Sequence, residues 1–166
     1  MKNIIIADLD GTLADLTHRL HHVKKIKEQQ HVKGTKRDWG AFHAECVNDK
    51  PITDVIEIVL GLITAPDVDR ELYVLSGRNA IVRKETTQWL EEHVSGVEDW
   101  DTRLLMRKGH DFRPDTEVKL DMVQDLGITP DDVLCIFDDR QSVVDMWRAN
   151  GYRCLQVNAW KEQDDE

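Results

Sequence analysis

Two carboxylates one residue apart open the chemistry of this chain, in Asp8-Leu9-Asp10-Gly11-Thr12-Leu13. Residues two apart in an extended segment point the same way, so Asp8 and Asp10 can converge on one small volume. Carboxylates that close repel, and the repulsion calls for a cation or a shared proton. Gly11 permits a tight exit that a side chain would obstruct. An ordinary Asp-Gly turn after a core strand fits the same six residues, so the decision falls to partners downstream. Three further clusters are candidates. Ser76-Gly77-Arg78 joins a hydroxyl, a flexible backbone and a guanidinium at a strand-to-helix turn, which suits a phosphate oxygen; a plain helix cap is the alternative. Lys119 could balance a phosphate charge from a helix, where a lysine is otherwise a surface residue. Asp138-Asp139 end the apolar run through Cys135, Ile136 and Phe137, and hard oxygen ligands at this density suit Mg²⁺.

The elements that must position these groups follow from hydrophobic pattern. Ile4-Ile5-Ile6-Ala7, directly ahead of Asp8, is short, β-branched and unalternated, as in a strand buried on both faces. Strand patterns at residues 3–8, 71–75, 103–107, 133–137 and 153–157 alternate with helical patterns at 52–64, 79–93, 115–125 and 142–150. This alternation predicts an α/β fold, a five-stranded parallel sheet with helices on both faces. Ligands of open α/β sheets bind at the carboxyl ends of strands, where all four clusters are expected or nearby. Residues 15–51 break the alternation. They read as a helix over 16–30, a break at Gly34 and a second helix with Asp38 as its N-cap. The expectation is a single domain over 1–166 with a small helical cap insertion at about 15–51, placed to exclude water and select substrate.

Composition bounds the function. At 166 residues, 40% hydrophobic and 33% charged, the chain can bury one core. It has no apolar stretch of about 18 residues and no signal-peptide pattern at the start. Cys46, Cys135 and Cys154 show no metal-like spacing and point to a reducing, cytoplasmic setting. The net charge of −10 opposes nonspecific adhesion to nucleic acid. Yet residues 18–37 hold seven lysines and arginines against one acid, with four histidines, a candidate anion-collecting rim. His18, His21 and His22 resemble a metal cluster but show no acidic partner nearby in sequence, which argues against Zn²⁺. Trp39 and Phe42 could stack on a base or pack a helix face.

In their order along the chain, Asp8-Leu9-Asp10-Gly11-Thr12, Ser76, Lys119 and Asp138-Asp139 resemble the four motifs of the haloacid dehalogenase (HAD) superfamily of phosphotransferases, over essentially the whole chain. The resemblance implies a Rossmann-like sheet with the first-motif strand at its centre. It also implies that Asp8 is a nucleophile forming an aspartyl-phosphate and that Asp10 is the acid and base. Adjacent carboxylates are expected to favour the protonated form of Asp10. Mg²⁺ would be held by Asp8, the Asp10 carbonyl and Asp138, with Asp139 in contact directly or through water. Ser76 and Lys119 would neutralise the phosphoryl oxygens.

Arg113-Pro114-Asp115 and the segment from Asp138 to Val157 further resemble the phosphatase domains of phage polynucleotide kinase-phosphatases. That likeness implies substrate-binding roles for Thr12, Arg19, Gly77, Arg78, Arg113 and Asp115. It also implies removal of 3′-phosphates from nucleic-acid ends or nucleotides. A (deoxy)nucleoside 5′-monophosphatase is the alternative, and a non-catalytic phosphate-end binding module a third. No G-x-x-x-x-G-K-[ST] loop is present, so any kinase partner would be separate.

Overall fold

The computed structural model describes residues 3–23 and 38–160, without the side chains of residues 159 and 160. Five parallel strands form the central sheet: β1 (Ile4–Asp8), β4 (Glu71–Asn79), β5 (Leu104–Arg107), β6 (Val133–Arg140) and β7 (Cys154–Trp160), in the order β5-β4-β1-β6-β7. The first-motif strand lies at the centre, as its uninterrupted burial requires. Alternate residues of β1 serve opposite cores. Ile5 and Ala7 pack with Val55, Ile56 and Val59 of α2 (Thr53–Ile63) and with Trp89 and Leu90 of α3 (Arg83–His93). Ile4 and Ile6 pack with Val123 of α5 (Asp115–Asp125) and with Val143, Val144 and Trp147 of α6 (Gln141–Ala149). The parallel register sets Asp8 opposite Leu75 and Ala7 opposite Phe137, which brings Ser76 and Asp138 to the same edge.

Both flanking strands run longer than their apolar patterns suggest. β4 and β6 continue through Ser76-Gly77-Arg78 and Asp138-Asp139, and each shifts register there, between Ser76 and Asn79 and between Asp138 and Arg140. Such irregularities redirect side chains at a strand end. The helix expected from residue 79 starts at Arg83. Asn79 instead caps a 3₁₀ turn, Ala80–Val82, by accepting a hydrogen bond from the Ile81 amide at 3.0 Å.

Residues 15–51 depart from expectation in their first half. The described part of the helix expected over 16–30 is a 3₁₀ turn, Thr17–His22, that turns Arg19 fully inward. The rest of that helix and the basic stretch from residue 24 to 37 lie outside the described residues. The second half follows the pattern: α1 (Trp39–Ala44) starts after Asp38, whose carboxylate accepts from the Ala41 amide at 2.9 Å. A 3₁₀ turn, Glu45–Asn48, follows it. A minimal antiparallel pair, β2 (Ala14–Asp15) with β3 (Lys50–Pro51), was too short to leave a sequence pattern, as was α4 (Trp100–Arg103). All three cysteines are free and buried. No helix among the described residues is long and apolar enough to cross a membrane.

Trp147 is fully buried beneath the sheet, its ring edge-on to Tyr152, but its indole N–H has no hydrogen-bond partner among the described residues. Trp147→Ala should therefore cost about 3–5 kcal/mol, and Trp147→Phe clearly less, because no hydrogen bond is lost. Urea unfolding followed by far-UV circular dichroism reads both.

Candidate active site

At the carboxyl edge of the sheet three carboxylates meet. Oxygens of Asp8, Asp138 and Asp139 lie within 4.8 Å of one another, and all three residues are buried. Lys119 reaches them from the first turns of α5, donating to Asp8 Oδ1 at 2.7 Å and to Asp138 Oδ2 at 2.8 Å. Burial pushes the Asp8 carboxyl well above its ordinary range; the Lys119 charge opposes this and the Asp138 and Asp139 charges add to it. Asp139 is pushed up to about 6 by burial and then by the Asp138 charge. Lys119 stays protonated, because the attraction of Asp138 and Asp8 outweighs its own burial. Negative charge here exceeds what one ammonium can neutralise. The donor set is all oxygen, compact and electron-rich, which fits a hard divalent ion such as Mg²⁺.

Asp10 faces away from this cluster, into a network of two acids and two arginines. Its Oδ1 accepts from Arg19 Nη2 at 2.5 Å and Arg78 Nη2 at 2.7 Å, and its Oδ2 from Arg78 Nε at 3.0 Å. Asp49 closes the network, accepting from Arg19 Nε at 2.7 Å and Arg78 Nη2 at 2.5 Å. Burial works to raise the Asp10 carboxyl, but the Arg78 and Arg19 charges and hydrogen bonds prevail and hold it at about 2. The expected protonation-favouring environment is thus corrected: neighbouring guanidiniums, not carboxylates, set this group, and they keep it ionised.

Asp49 was missed by sequence reading. It is buried, its carbonyl accepts from Trp89 Nε1 at 2.7 Å, and a lone aspartate before Lys50-Pro51 carries no motif signal. Arg107 was missed too. It pairs with Asp115, donates to the Gly77 carbonyl at 3.1 Å and to the Arg113 carbonyl at 2.7 Å, and so ties three expected substrate residues together. Asp115 also accepts from Arg140 at 2.9 Å and makes no cap, the N-cap position being Pro114.

The remaining expected residues separate by position. A Cβ at Gly77 would stand 2.7 Å from Asp115 Oδ1, so any larger residue there would displace the Asp115 carboxylate. Gly11, at φ +90°, would drive a Cβ into the Asp139 carboxylate. Ser76 is buried and accepts from the Arg78 amide at 3.1 Å, not from a helix amide. Thr12 is buried, and its hydroxyl has no hydrogen-bond partner among the described residues. Arg113 pairs with Asp111 at 2.8 Å and Asp121 at 2.7 Å. A cavity of about 960 Å³ is floored by Asp8, Asp10, Arg78, Lys119 and Asp139, with Gly77, Arg113 and Asp115 on its wall. Arg19, expected against substrate, does not line it; its guanidinium lies 4.1 Å above the Phe42 ring. Phe42 accordingly packs, whereas Trp39 stays half exposed at the cavity.

Comparison with known proteins bears on this arrangement. The family model for the polynucleotide kinase PNKP phosphatase domain, a HAD phosphatase domain, matches residues 32–161. The chain belongs to this family. The PNKP phosphatase-domain match begins after the Asp8–Leu13 turn. A chain of the Pnkp1/Rnl/Hen1 complex is 26% identical, with a TM-score of 0.71 over 97% of this chain and 47% of that one. A protein of Autographa californica nuclear polyhedrosis virus, named as a bifunctional polynucleotide kinase/RNA ligase, is 27% identical over 144 residues, 87% of this chain and 17% of that protein. The chain therefore spans a minor part of these relatives. A HAD family enzyme from Bacteroides thetaiotaomicron, solved with magnesium and inorganic phosphate, is 14% identical with a TM-score of 0.54 over 98% of each chain and shares the fold.

Two outcomes follow from the electrostatics. Asp49→Ala leaves two buried guanidiniums without their shared acid and should destabilise the chain by about 3–5 kcal/mol, measured by urea unfolding. For Asp139, an ordinary value of 3.8 rises to about 6 in the fold. The unfolded chain ionises first as pH rises, so stability in EDTA should fall between those values. Asp139→Asn should lessen that fall, to which the raised Asp8 carboxyl also contributes, and stabilise the metal-free chain at pH 7 by about 1–3 kcal/mol. A matched pair of denaturation series at pH 4 and 7 checks the sign.

Proposed function

We propose that this chain is a Mg²⁺-dependent phosphomonoesterase that removes 3′-phosphates from nucleic-acid ends or nucleotides through an aspartyl-phosphate. The observation that carries the reading is the Lys119 ammonium shared between Asp8 and Asp138, which sets one cation and a carboxylate nucleophile at one cavity floor. Asp8, Asp138, Asp139 and the Asp10 carbonyl would hold Mg²⁺, which when bound supplies charge neutralisation for the phosphoryl oxygens. Asp8 attacks phosphorus in line, an Asp8–phosphorus bond forms and the ester P–O bond breaks. Lys119, Ser76 and Arg78 stabilise the phosphoryl charge, and Thr12, Gly77, Arg113 and Asp115 contact the substrate. An incoming phosphate competes with Asp10 for the Arg78 guanidinium. Asp10, once Arg78 is drawn away, takes a proton from solvent and gives it to the leaving oxygen, then takes one from the water that hydrolyses the phosphoenzyme.

Substrate class rests on family membership and on the cavity wall. Trp39, Ile81 and Phe112 all line the cavity while 49%, 81% and 90% exposed, an apolar rim suited to a nucleobase above a charged floor. Residues 15–51 are read as the cap that carries part of this rim, with a polynucleotide kinase as a cooperating activity and the cytoplasm as the setting.

A panel of matched 3′- and 5′-phosphorylated oligonucleotides and mononucleotides, with Mg²⁺ and with EDTA, tests the reading. Phosphate release from 3′-ends that requires Mg²⁺ is expected, and Asp8→Asn should lower it at least about a thousandfold. Release from 5′-mononucleotides alone would replace this reading with a nucleotidase. Wild-type activity in Asp8→Asn would remove Asp8 as nucleophile.

A further inference from the structure

One cluster of metal-ligating side chains takes no part in the site above. The 3₁₀ turn Thr17–His22 sets His21 and His22 beside Glu45, the first residue of the turn Glu45–Asn48. One ring nitrogen of each histidine and one carboxylate oxygen of Glu45 all lie within 4.8 Å of one another. The acid that the histidines lack in sequence is supplied by the fold.

Two details set this cluster apart from a casual ion pair. His21 Nδ1 lies 2.9 Å from the His18 carbonyl oxygen, which can only accept. The proton is therefore on Nδ1, and neutral His21 keeps its lone pair on Nε2. Metal-binding imidazoles are oriented in this way by a carbonyl on the other nitrogen. His22 Nε2 is buried 3.1 Å from Glu45 Oε1, a pairing that makes no well-angled hydrogen bond, and meets no other partner among the described residues. The two rings stand 3.9 Å apart between centroids, so charging both would set like charges against each other. A cation bound to the nitrogens satisfies all three side chains at once.

We propose that His21, His22 and Glu45 form a second metal site, for Zn²⁺ or a similar borderline ion, distinct from the all-carboxylate cluster. Donor chemistry separates the two. Imidazole with one carboxylate suits Zn²⁺, whereas Mg²⁺ takes oxygen ligands. Ligand atoms around Zn²⁺ stand about 2.0–2.2 Å from the ion, so the three groups close by small rotamer changes. The ion would clasp the turn bearing Arg19 to the turn leading into Asp49. His18 already bridges these turns, with Nε2 2.9 Å from Asp49 Oδ1 and Nδ1 3.9 Å from Glu45 Oε2. The site is thus a structural brace for the arginine network, independent of which phosphate ester is cleaved.

Titration calorimetry with ZnCl₂ on the untagged chain, in excess Mg²⁺ to fill the carboxylate cluster, tests this. One Zn²⁺ per chain is expected, with a raised thermal midpoint. His21→Gln, His22→Gln and Glu45→Gln should each weaken Zn²⁺ binding at least tenfold. Absence of saturable binding in excess Mg²⁺, or variants that bind as the wild type does, would overturn the proposal. A second measurement needs no variant: Zn²⁺ should protect His21 and His22 from diethylpyrocarbonate, read by peptide mass spectrometry. Equal labelling with and without Zn²⁺ would overturn it as well.

Discussion

Three buried carboxylates held against one ammonium are the constraint around which this fold is arranged. Asp8, Asp138 and Asp139 repel one another in a region that water does not screen, and Lys119 relieves only part of that repulsion. Such an arrangement persists only if the backbone leaves no alternative. A central strand buried on both faces fixes Asp8, and the neighbouring parallel strand, paired with it from Ile5 to Ala7 beyond a register shift, fixes Asp138. α5, packed across the same face as Trp147, aims Lys119 between them. The hydrophobic cores thus hold a charge arrangement that is unfavourable by itself, and the binding of a hard cation becomes the favourable response.

The second acid of the Asp-x-Asp turn is treated in the opposite way. Asp10 and Asp49 alternate with Arg19 and Arg78, so that two negative and two positive groups neutralise each other, with Asp10 alone of the four still partly exposed. Two residues apart, Asp8 and Asp10 therefore sit at opposite ends of the carboxyl range, one raised and one lowered. The spacing is short, but the environments differ: Asp8 stands among carboxylates and one ammonium, Asp10 among guanidiniums.

Much of this was legible because it depends on local pattern. The unalternated Ile4–Ala7 run announced a strand buried on both faces, and acids at abrupt strand ends announced the carboxylate cluster that the fold assembles. Asp38 as an N-cap was readable from one residue, since capping is a local act. The illegible parts are those made by distant contact. Asp49 is thirty residues from Arg19 in sequence and touches both arginines only in the fold. Arg107 looked like the end of a strand and proved to be the tie between Gly77, Arg113 and Asp115. The environment of Asp10 was misjudged for the same reason: sequence displays the neighbouring acids, whereas the arginines that set its charge arrive from elsewhere.

The short pairing of Ala14–Asp15 with Lys50–Pro51 has an evolutionary reading. It pinches the excursion at its root, so the chain leaves and re-enters the sheet scaffold at nearly one point. Segments grafted at such a neck can lengthen, shorten or be exchanged without disturbing strand order. Arg19 and Asp49 lie just inside the neck and lock onto Asp10 and Arg78 of the scaffold. An insertion of different length would leave the neck intact, but one without Arg19 and Asp49 would leave Asp10 and Arg78 without half of their charge partners.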